Sequence, residues 1–192
     1  ACMKLYYSPG ACSFAAHVVL HELALHHTVE RVNLRTKKTA AGEDFLSINP
    51  KGYVPALQLD SGEVLTEGVA ILQYLADLAP SAGLAAQIGT MQRYRLMEWL
   101  GYINSEIHKS FSPLFNPAAT AEMKTLARDL LAQGLAHERR GAQCAQIKTR
   151  AHAVRPPELD VVRVMVRLFD QSHAPWIPLP DAIIHALFRQ RI

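Results

Sequence analysis

Apolar and polar residues along the first 80 positions follow two repeats, one typical of strands and one typical of helices. Residues 3–7 have strand character and end at a turn formed by Ser8, Pro9 and Gly10. Apolar residues then recur at helical spacing over residues 13–25, and residues 29–34 alternate as a second strand. The chain therefore opens with a strand, a turn, a helix and a parallel strand.

The next segment predicts a hairpin and a closing helix. The complete order, β-α-β-α-β-β-α, is typical of a thioredoxin-like α/β domain, which we place at residues 3–80. Its elements after the second strand are a loop (37–42), a short helix (43–48), a strand (54–59), a hairpin turn (60–63), a strand (64–65) and a helix (66–78).

The rest of the chain predicts an all-α helical domain, which we place at residues 90–192 after a linker rich in Ala, Gly and Ser. Residues 91–115 form one long helical pattern, and residues 119–134 form a second. The predicted fold is an α/β thioredoxin-like N-terminal domain followed by an all-α C-terminal domain, in which residues 135–192 are atypical.

Composition and charge narrow the class of protein. The chain has 192 residues, of which 49% are hydrophobic, and a formal net charge of +3. Its basic residues are scattered, unlike the basic stripe that binds nucleic acid. No apolar run approaches the roughly 18 residues of a membrane span, and the N-terminus has no secretory pattern. We therefore expect a cytoplasmic protein with neither nucleic-acid nor membrane partners.

The cysteines and histidines give no metal signature. The three cysteines are Cys2, Cys12 and Cys144. Their odd number and wide spacing argue against a disulfide framework, and their spacing is not that of a zinc site. Both observations favour a reducing compartment. His21, His26 and His27 lie near one another and could suggest a metal, but a surface helix and turn is the better explanation. We expect no metal.

Cys12 is the strongest candidate for chemistry. It stands at the start of a helix after a Pro-Gly turn, where unpaired N–H groups and the helix dipole favour an anion. That position predicts a thiol pKa lowered by about one unit, although a buried structural cysteine is the alternative. Ala15 stands where a resolving cysteine would be needed. Ser13 is a second candidate activator, and its hydroxyl could equally cap the helix.

Two backbone segments could hold a peptide-like ligand. A cis bond between Val54 and Pro55 would expose the backbone of Val54 to such a ligand, whereas a trans turn is the default from sequence alone. Glu67 and Gly68 open a helix whose free N–H groups suit a carboxylate, and the Glu67 side chain suits an ammonium group. Glu67 is also explained as a simple cap.

Charged residues elsewhere could complete this site. Lys37 and Lys51, on predicted loops, could meet a second carboxylate, or they could be solvated surface residues. Glu106, His108 and Lys109 lie on the long predicted helix, where His108 and Lys109 either face the cleft of the first domain or form a solvated face.

Five runs of residues, in this order, resemble the beta-class bacterial glutathione transferases. Asn-Pro-x-Gly-x-Val-Pro with Thr-Glu-Gly downstream marks the superfamily, and Cys12 with the His108–Lys109 helix marks the class. The resemblance covers residues 3 to roughly 135. The runs are MKLYYSPGACS (3–13), LRTKKT (34–39), INPKGYVPAL (48–57), LTEGVAI (65–71) and SEIHKSFSPLF (105–115).

The resemblance implies a homodimer that binds glutathione as co-substrate. Cys12 would form a mixed disulfide with glutathione, and His108 and Lys109 would lie near the thiol. Pro55 would be cis, and Val54 would hold the cysteinyl backbone of glutathione. The other implied glutathione-binding residues are Lys37, Tyr53, Glu67, Gly68 and Glu106, the last reaching across the dimer.

We expect a glutathione S-transferase that conjugates glutathione to small hydrophobic electrophiles in detoxification. Its candidate catalytic residues are Cys12, His108 and Ser13. One alternative is a glutathione-dependent thiol reductase or dehalogenase that uses Cys12 covalently. Another is a non-catalytic ligand-binding protein with a defective C-terminal domain.

The family likeness stops beyond about Gly134. The Ser/Thr-x-x-Asp capping box that the family carries is missing, and the basic residues change from mixed Lys and Arg to almost entirely Arg. We interpret residues 135–192 as a tail read out of frame, with a divergent C-terminal domain as the alternative. Reading the gene in its other two frames tests the interpretation.

Overall fold

The computed structural model describes residues 2–134, which contain a five-stranded mixed sheet flanked by helices. The strands are β1 (Met3–Tyr7), β2 (His27–Asn33), β3 (Lys38–Thr39), β4 (Ala56–Gln58) and β5 (Val64–Thr66). They lie in the order β3-β2-β1-β4-β5, with β1 parallel to β2 and the other pairs antiparallel. This sheet confirms the predicted thioredoxin-like α/β class.

Five helices lie between the strands and after them, and a sixth reaches the end of the described residues. Asp44 and Thr90 cap two of them, because their side chains accept hydrogen bonds from the N–H groups of Leu46 and Arg93. The helices are α1 (Ser13–Glu22), α2 (Phe45–Ile48), α3 (Gly68–Leu78), α4 (Met91–Tyr102), α5 (Ser112–Phe115) and α6 (121–134), with a 3₁₀ turn at Pro80–Ala82.

Two sequence predictions need correction in the sheet. The predicted loop at residues 37–42 contains β3, which is only two residues long and exists because it pairs with the end of β2. Strand β2 begins at His27, before its predicted start at residue 29, because pairing with β1 begins at Met3 opposite His27. Both errors concern residues whose strand conformation depends on a partner strand.

The predicted single helix over residues 91–115 changes its winding after α4. The backbone forms a π-helix at Ile103–His108 and a 3₁₀-helix at Lys109–Phe111 before α5. The buried residues on this path recur at intervals of four, three, four and four, so the wider turns keep them on one side. These residues are Leu96, Leu100, Ile103, Ile107 and Phe111.

The main hydrophobic core lies between the sheet and helices α1, α3 and α4. It continues from the first 80 residues into α4, and the domain boundary at residues 80–90 stays a prediction. Its fully buried members are Leu5, Ala16, Leu20, Leu57, Ile71, Leu75, Leu100, Ile103 and Ile107. No helix within residues 2–134 is both long enough and apolar enough to cross a membrane. The predictions for residues 135–192 lie outside the described residues.

An ion pair between buried Arg93 and partly exposed Asp77 joins α4 to α3. Arg93 is only 5% exposed, and its Nη1 and Nη2 donate to the two carboxylate oxygens of Asp77 at 2.7 and 2.8 Å. Its Nε donates to Gln73 Oε1 at 3.3 Å, and Nη1 also donates to the carbonyl of Ala86 at 3.3 Å. A guanidinium buried in this way is stable only because these acceptors replace its water.

We expect Arg93→Met to lower the free energy of unfolding by about 2–3 kcal/mol, somewhat below the full cost of breaking a buried pair because Asp77 stays partly solvated. Arg95→Met is the matched control, because Arg95 and Glu98 form an exposed pair on the same helix. Urea unfolding of both variants checks the prediction. Equal destabilisation of the two variants would show that the Arg93 ion pair does not hold α4.

Candidate functional site

The loop between β1 and α1 is closed by Ser13. This side chain is fully buried, and its Oγ donates to the carbonyl of Ser8 at 3.3 Å and accepts from the N–H of Ser8 at 3.2 Å. Gly10 has a φ of +71°, a conformation that glycine adopts without steric cost. Ser13 therefore ties the two ends of the loop together and positions Cys12 at the start of α1.

Cys12 joins this loop to the segment before β4. Its Sγ donates to the backbone carbonyl of Val54 at 3.2 Å. The peptide bond between Val54 and Pro55 is cis, as the family resemblance implies and contrary to the trans default from sequence alone. The thiol and the Val54 carbonyl thus lie side by side at the carboxyl end of β1.

The pKa of Cys12 is raised, which corrects the lowered value predicted from its position. Burial of the thiol is the largest cause, and the negative charge of Glu67 adds to it. Hydrogen bonds from the N–H groups of Cys12 and Ser13 lower the pKa, as expected at a helix start, but they do not outweigh burial. Cys12 is consequently a protonated thiol at neutral pH.

The segment that carries Val54 is held by polar contacts from both sides. Asn49 is 3% exposed, and its Nδ2 donates to the carbonyl of Tyr53 at 2.8 Å. Lys37 Nζ donates to the carbonyl of Gly52 at 2.8 Å and lies 5.4 Å from the ring centroid of Tyr53. Sequence reasoning did not single out Asn49 as a site residue. Its signal is an Asn-Pro pair that precedes a glycine and ends the short helix α2.

Glu67 occupies the N-cap position of α3 with a φ of 70° and a ψ of 120°. A residue other than glycine in this region costs of order 1–3 kcal/mol, and such residues cluster at functional sites. Its carboxylate accepts from Lys51 Nζ at 2.7 Å, and Lys51 also donates to Thr66 Oγ1 at 3.3 Å. Gly68, the first residue of α3, would place an added Cβ 4.0 Å from the Pro55 ring, so α3 begins beside the cis proline.

His108 and Lys109 lie together where the π-helical segment ends. Burial, followed by the positive charge of Lys109, lowers the pKa of His108, so its imidazole is neutral at neutral pH. Glu106 and Lys109 are exposed. The described contacts join Cys12 to Val54 and bring the charge of Glu67 close to the thiol, whereas the approach of His108 and Lys109 to Cys12 stays a prediction.

A metal-capable group of side chains within residues 2–134 lies on α1 and β2 and does not include Cys12. It consists of His17, His21 and His27. The sequence alone groups His21 and His27 with His26, which is exposed, in place of His17. Sequence reasoning missed His17, although its four-residue spacing from His21 on a predicted helix is a usable signal.

Comparisons with known proteins agree with this geometry. Residues 10–78 match the family model described as glutathione S-transferase, N-terminal domain. Glutathione S-transferase GstA of Escherichia coli O157:H7 is 49% identical over 133 residues, which span 69% of this chain and 66% of that protein. The match therefore spans just under two thirds of the relative's length.

Two solved structures are similar to this chain along most of their length. A bacterial beta-class glutathione S-transferase from Sphingomonas chungbukensis is 42% identical with a TM-score of 0.74, and the match covers 86% of this chain and 80% of that one. A sphingomonad glutathione S-transferase complexed with glutathione is 38% identical with a TM-score of 0.74, and the match covers 96% of this chain and 89% of that one. With the thioredoxin-like sheet and the Cys12–Val54 arrangement, these matches establish that the chain belongs to the glutathione S-transferase family.

Proposed function

We propose that this protein is a glutathione S-transferase that conjugates glutathione to small hydrophobic electrophiles. The observation that carries the proposal is the convergence of Cys12, the Val54 carbonyl and the start of α3 at the carboxyl end of β1. Ligands of α/β sheets bind at that end of the strands. The enzyme would act in the cytoplasm as a homodimer, with glutathione as co-substrate and no metal in the glutathione site.

In this proposal, glutathione lies across the two loops as an extended peptide. The backbone of Val54 would pair with the cysteinyl residue of glutathione, placing the glutathione sulfur beside Cys12. The N–H groups at Gly68 would hold the glutamyl carboxylate, and the side chain of Glu67 would hold the glutamyl ammonium. Two charge-assisted contacts of this kind select a zwitterionic end group.

Lysines and Tyr53 would complete the glutathione site. Lys51 already pairs with Glu67, so it would reach a ligand carboxylate by a small rearrangement of an exposed side chain. Lys37 and the 70% exposed Tyr53 would flank the glycyl end of glutathione. Glu106 would reach the site across the dimer.

The protonation states of Cys12 and His108 assign these two residues different catalytic roles. A protonated Cys12 is a poor base, but it donates a hydrogen bond and would donate to the glutathione thiolate in the same way. Neutral His108 would serve as an acceptor or donor near that sulfur, with Lys109 supplying positive charge. Ser13, whose hydroxyl is engaged by Ser8, would act by positioning the loop.

A covalent thiol reductase or dehalogenase is the second candidate function. Its supporting observation is that Cys12 is a free thiol at the start of a helix. With Ala15 in place of a resolving cysteine, glutathione itself would have to release the mixed disulfide. The raised pKa of Cys12 disfavours this function, since thiolates are the attacking species.

Conjugation of glutathione to an aryl halide by Cys12→Ala tests the leading proposal. We expect kcat/KM to fall by less than about tenfold, because loss of an essential acid or base costs about 10²–10⁴-fold. Cys2→Ala, which removes another free thiol, is the control and should match the wild type.

Three outcomes separate the candidates. Loss of conjugation in Cys12→Ala by more than about 10²-fold would contradict the assigned role of Cys12. A wild type that reduces a mixed disulfide with glutathione but does not turn over the aryl halide would favour the reductase. Retention on a glutathione column without turnover of either substrate would leave only ligand binding.

The pH profile of Cys12 alkylation tests the electrostatics of the site. Because burial raises the pKa of Cys12, the iodoacetamide reaction should be slow at neutral pH and keep rising beyond pH 9.0, the ordinary pKa. Glu67→Gln removes a charge that raises this pKa, so its profile should shift to lower pH. Glu63→Gln, on the exposed turn between β4 and β5, should leave the profile unchanged. A Glu67→Gln shift to higher pH would contradict the assigned geometry.

A further inference from the structure

Three histidines meet on one side of the β1-α1-β2 unit. His17 and His21 stand four residues apart on α1 and therefore share one face of the helix, while His27 is the first residue of β2. The Nε2 atoms of His17 and His21 are 3.1 Å apart, and one ring nitrogen from each of the three histidines lies within 4.8 Å of the others. The structure thus brings three imidazole ligands together from two elements.

His27 is oriented by the backbone. Its Nδ1 lies 2.7 Å from the carbonyl oxygen of Leu25, which can only accept a hydrogen bond. Nδ1 therefore carries the proton, and in the neutral ring Nε2 keeps its lone pair. A histidine that donates one ring N–H to a backbone carbonyl while the other nitrogen binds a metal is a recurrent arrangement in metalloproteins.

The three rings pack against one another and against Tyr7. His17 is half-buried and packs with its ring centroid 5.9 Å from that of Tyr7. The ring centroids of His21 and His27 are 5.0 Å apart in an edge-to-face arrangement, and those of His17 and His21 are 4.8 Å apart. Three rings this close cannot all carry a positive charge without strong mutual repulsion.

We propose that His17, His21 and His27 bind one divalent transition-metal ion of the kind that imidazole prefers, with Zn²⁺ as the reference ion. Zinc–nitrogen bonds of about 2.0–2.1 Å in a tetrahedron place two ligand nitrogens about 3.3 Å apart. The 3.1 Å separation of His17 and His21 already fits one such edge. The wider separations in the trio, at most 4.8 Å, would have to shorten toward that value by side-chain rotation, for which the exposed His21 has room. Water would occupy the fourth position.

Cys12 and His27 lie at opposite ends of β1, and His17 lies on α1 between them, with its ring beside Tyr7. His27 pairs with Met3 at the beginning of β1, whereas the loop that carries Cys12 follows Tyr7 at its end. A metal ion here would link the last turns of α1 to the start of β2. Its effect is therefore on the stability of the β-α-β unit, and it does not depend on the proposed transferase activity.

Zinc titration of the full-length, metal-stripped protein in glutathione-free buffer tests the proposal, with a chromophoric chelator as competitor. We expect the wild type to bind one Zn²⁺ and the variants His17→Gln and His21→Gln to lose at least about 100-fold in affinity, the upper end of what losing an outer-shell partner costs. His26→Gln is the matched control, because His26 is exposed, adjacent to His27 and outside the trio. All these variants keep every cysteine.

Two further readouts guard against misfolded variants and thiol binding. Without metal, the circular dichroism and melting temperature of the variants should match those of the wild type, since Gln is at least as good a helix former as His. At about 100 times its dissociation constant, Zn²⁺ should raise the melting temperature of the wild type and His26→Gln by about 5 °C or more, but not that of His17→Gln.

Cobalt substitution should give visible bands of tetrahedral nitrogen coordination in the wild type that disappear in His17→Gln. Equal zinc affinity in the wild type and His17→Gln, or a cobalt spectrum dominated by thiolate absorption, would overturn the proposal.

Discussion

The hydrogen bond from the Cys12 thiol to the Val54 carbonyl is the contact on which the rest of the site depends. It joins the loop after β1 to the segment before β4, although Cys12 and Val54 are 42 residues apart in the sequence. Ser13 fixes the first loop through Ser8, and Asn49 fixes the second through Tyr53. Because both loops are tied to buried side chains, the thiol and the carbonyl are held beside each other, and α3 begins next to Pro55.

Burial of the Cys12 thiol also decides its protonation state. A thiol at a helix start is usually discussed as an anion, but here desolvation outweighs the backbone N–H groups. The same burial principle makes His108 a neutral imidazole. The described contacts at Cys12 therefore offer a hydrogen bond to a bound sulfur more readily than a thiolate. This is why a conjugating role is favoured over covalent chemistry at Cys12.

Local sequence signals were sufficient for the elements that carry the site. The Pro-Gly turn before Cys12 lies where the sequence predicts it, and α3 begins at Gly68, two residues after its predicted start at residue 66. These signals suffice because turn and cap chemistry is short-range. Properties that depend on distant packing were not predictable in this way. The two-residue strand β3 exists through its partner. The pKa of Cys12 depends on burial in the folded chain and on the charge of the distant Glu67. His17 joins His27 only after α1 folds back along β1.

Intact-mass measurement after incubation with glutathione disulfide tests most directly whether Cys12 faces bound glutathione. In thiol–disulfide exchange, the Cys12 thiolate attacks one sulfur of the disulfide and releases one glutathione thiolate. The wild type and Cys2→Ala should each add one glutathione that Cys12→Ala lacks, at a rate that rises with pH because the pKa of Cys12 is raised. Addition of glutathione to Cys12→Ala at the wild-type rate would contradict the central claim.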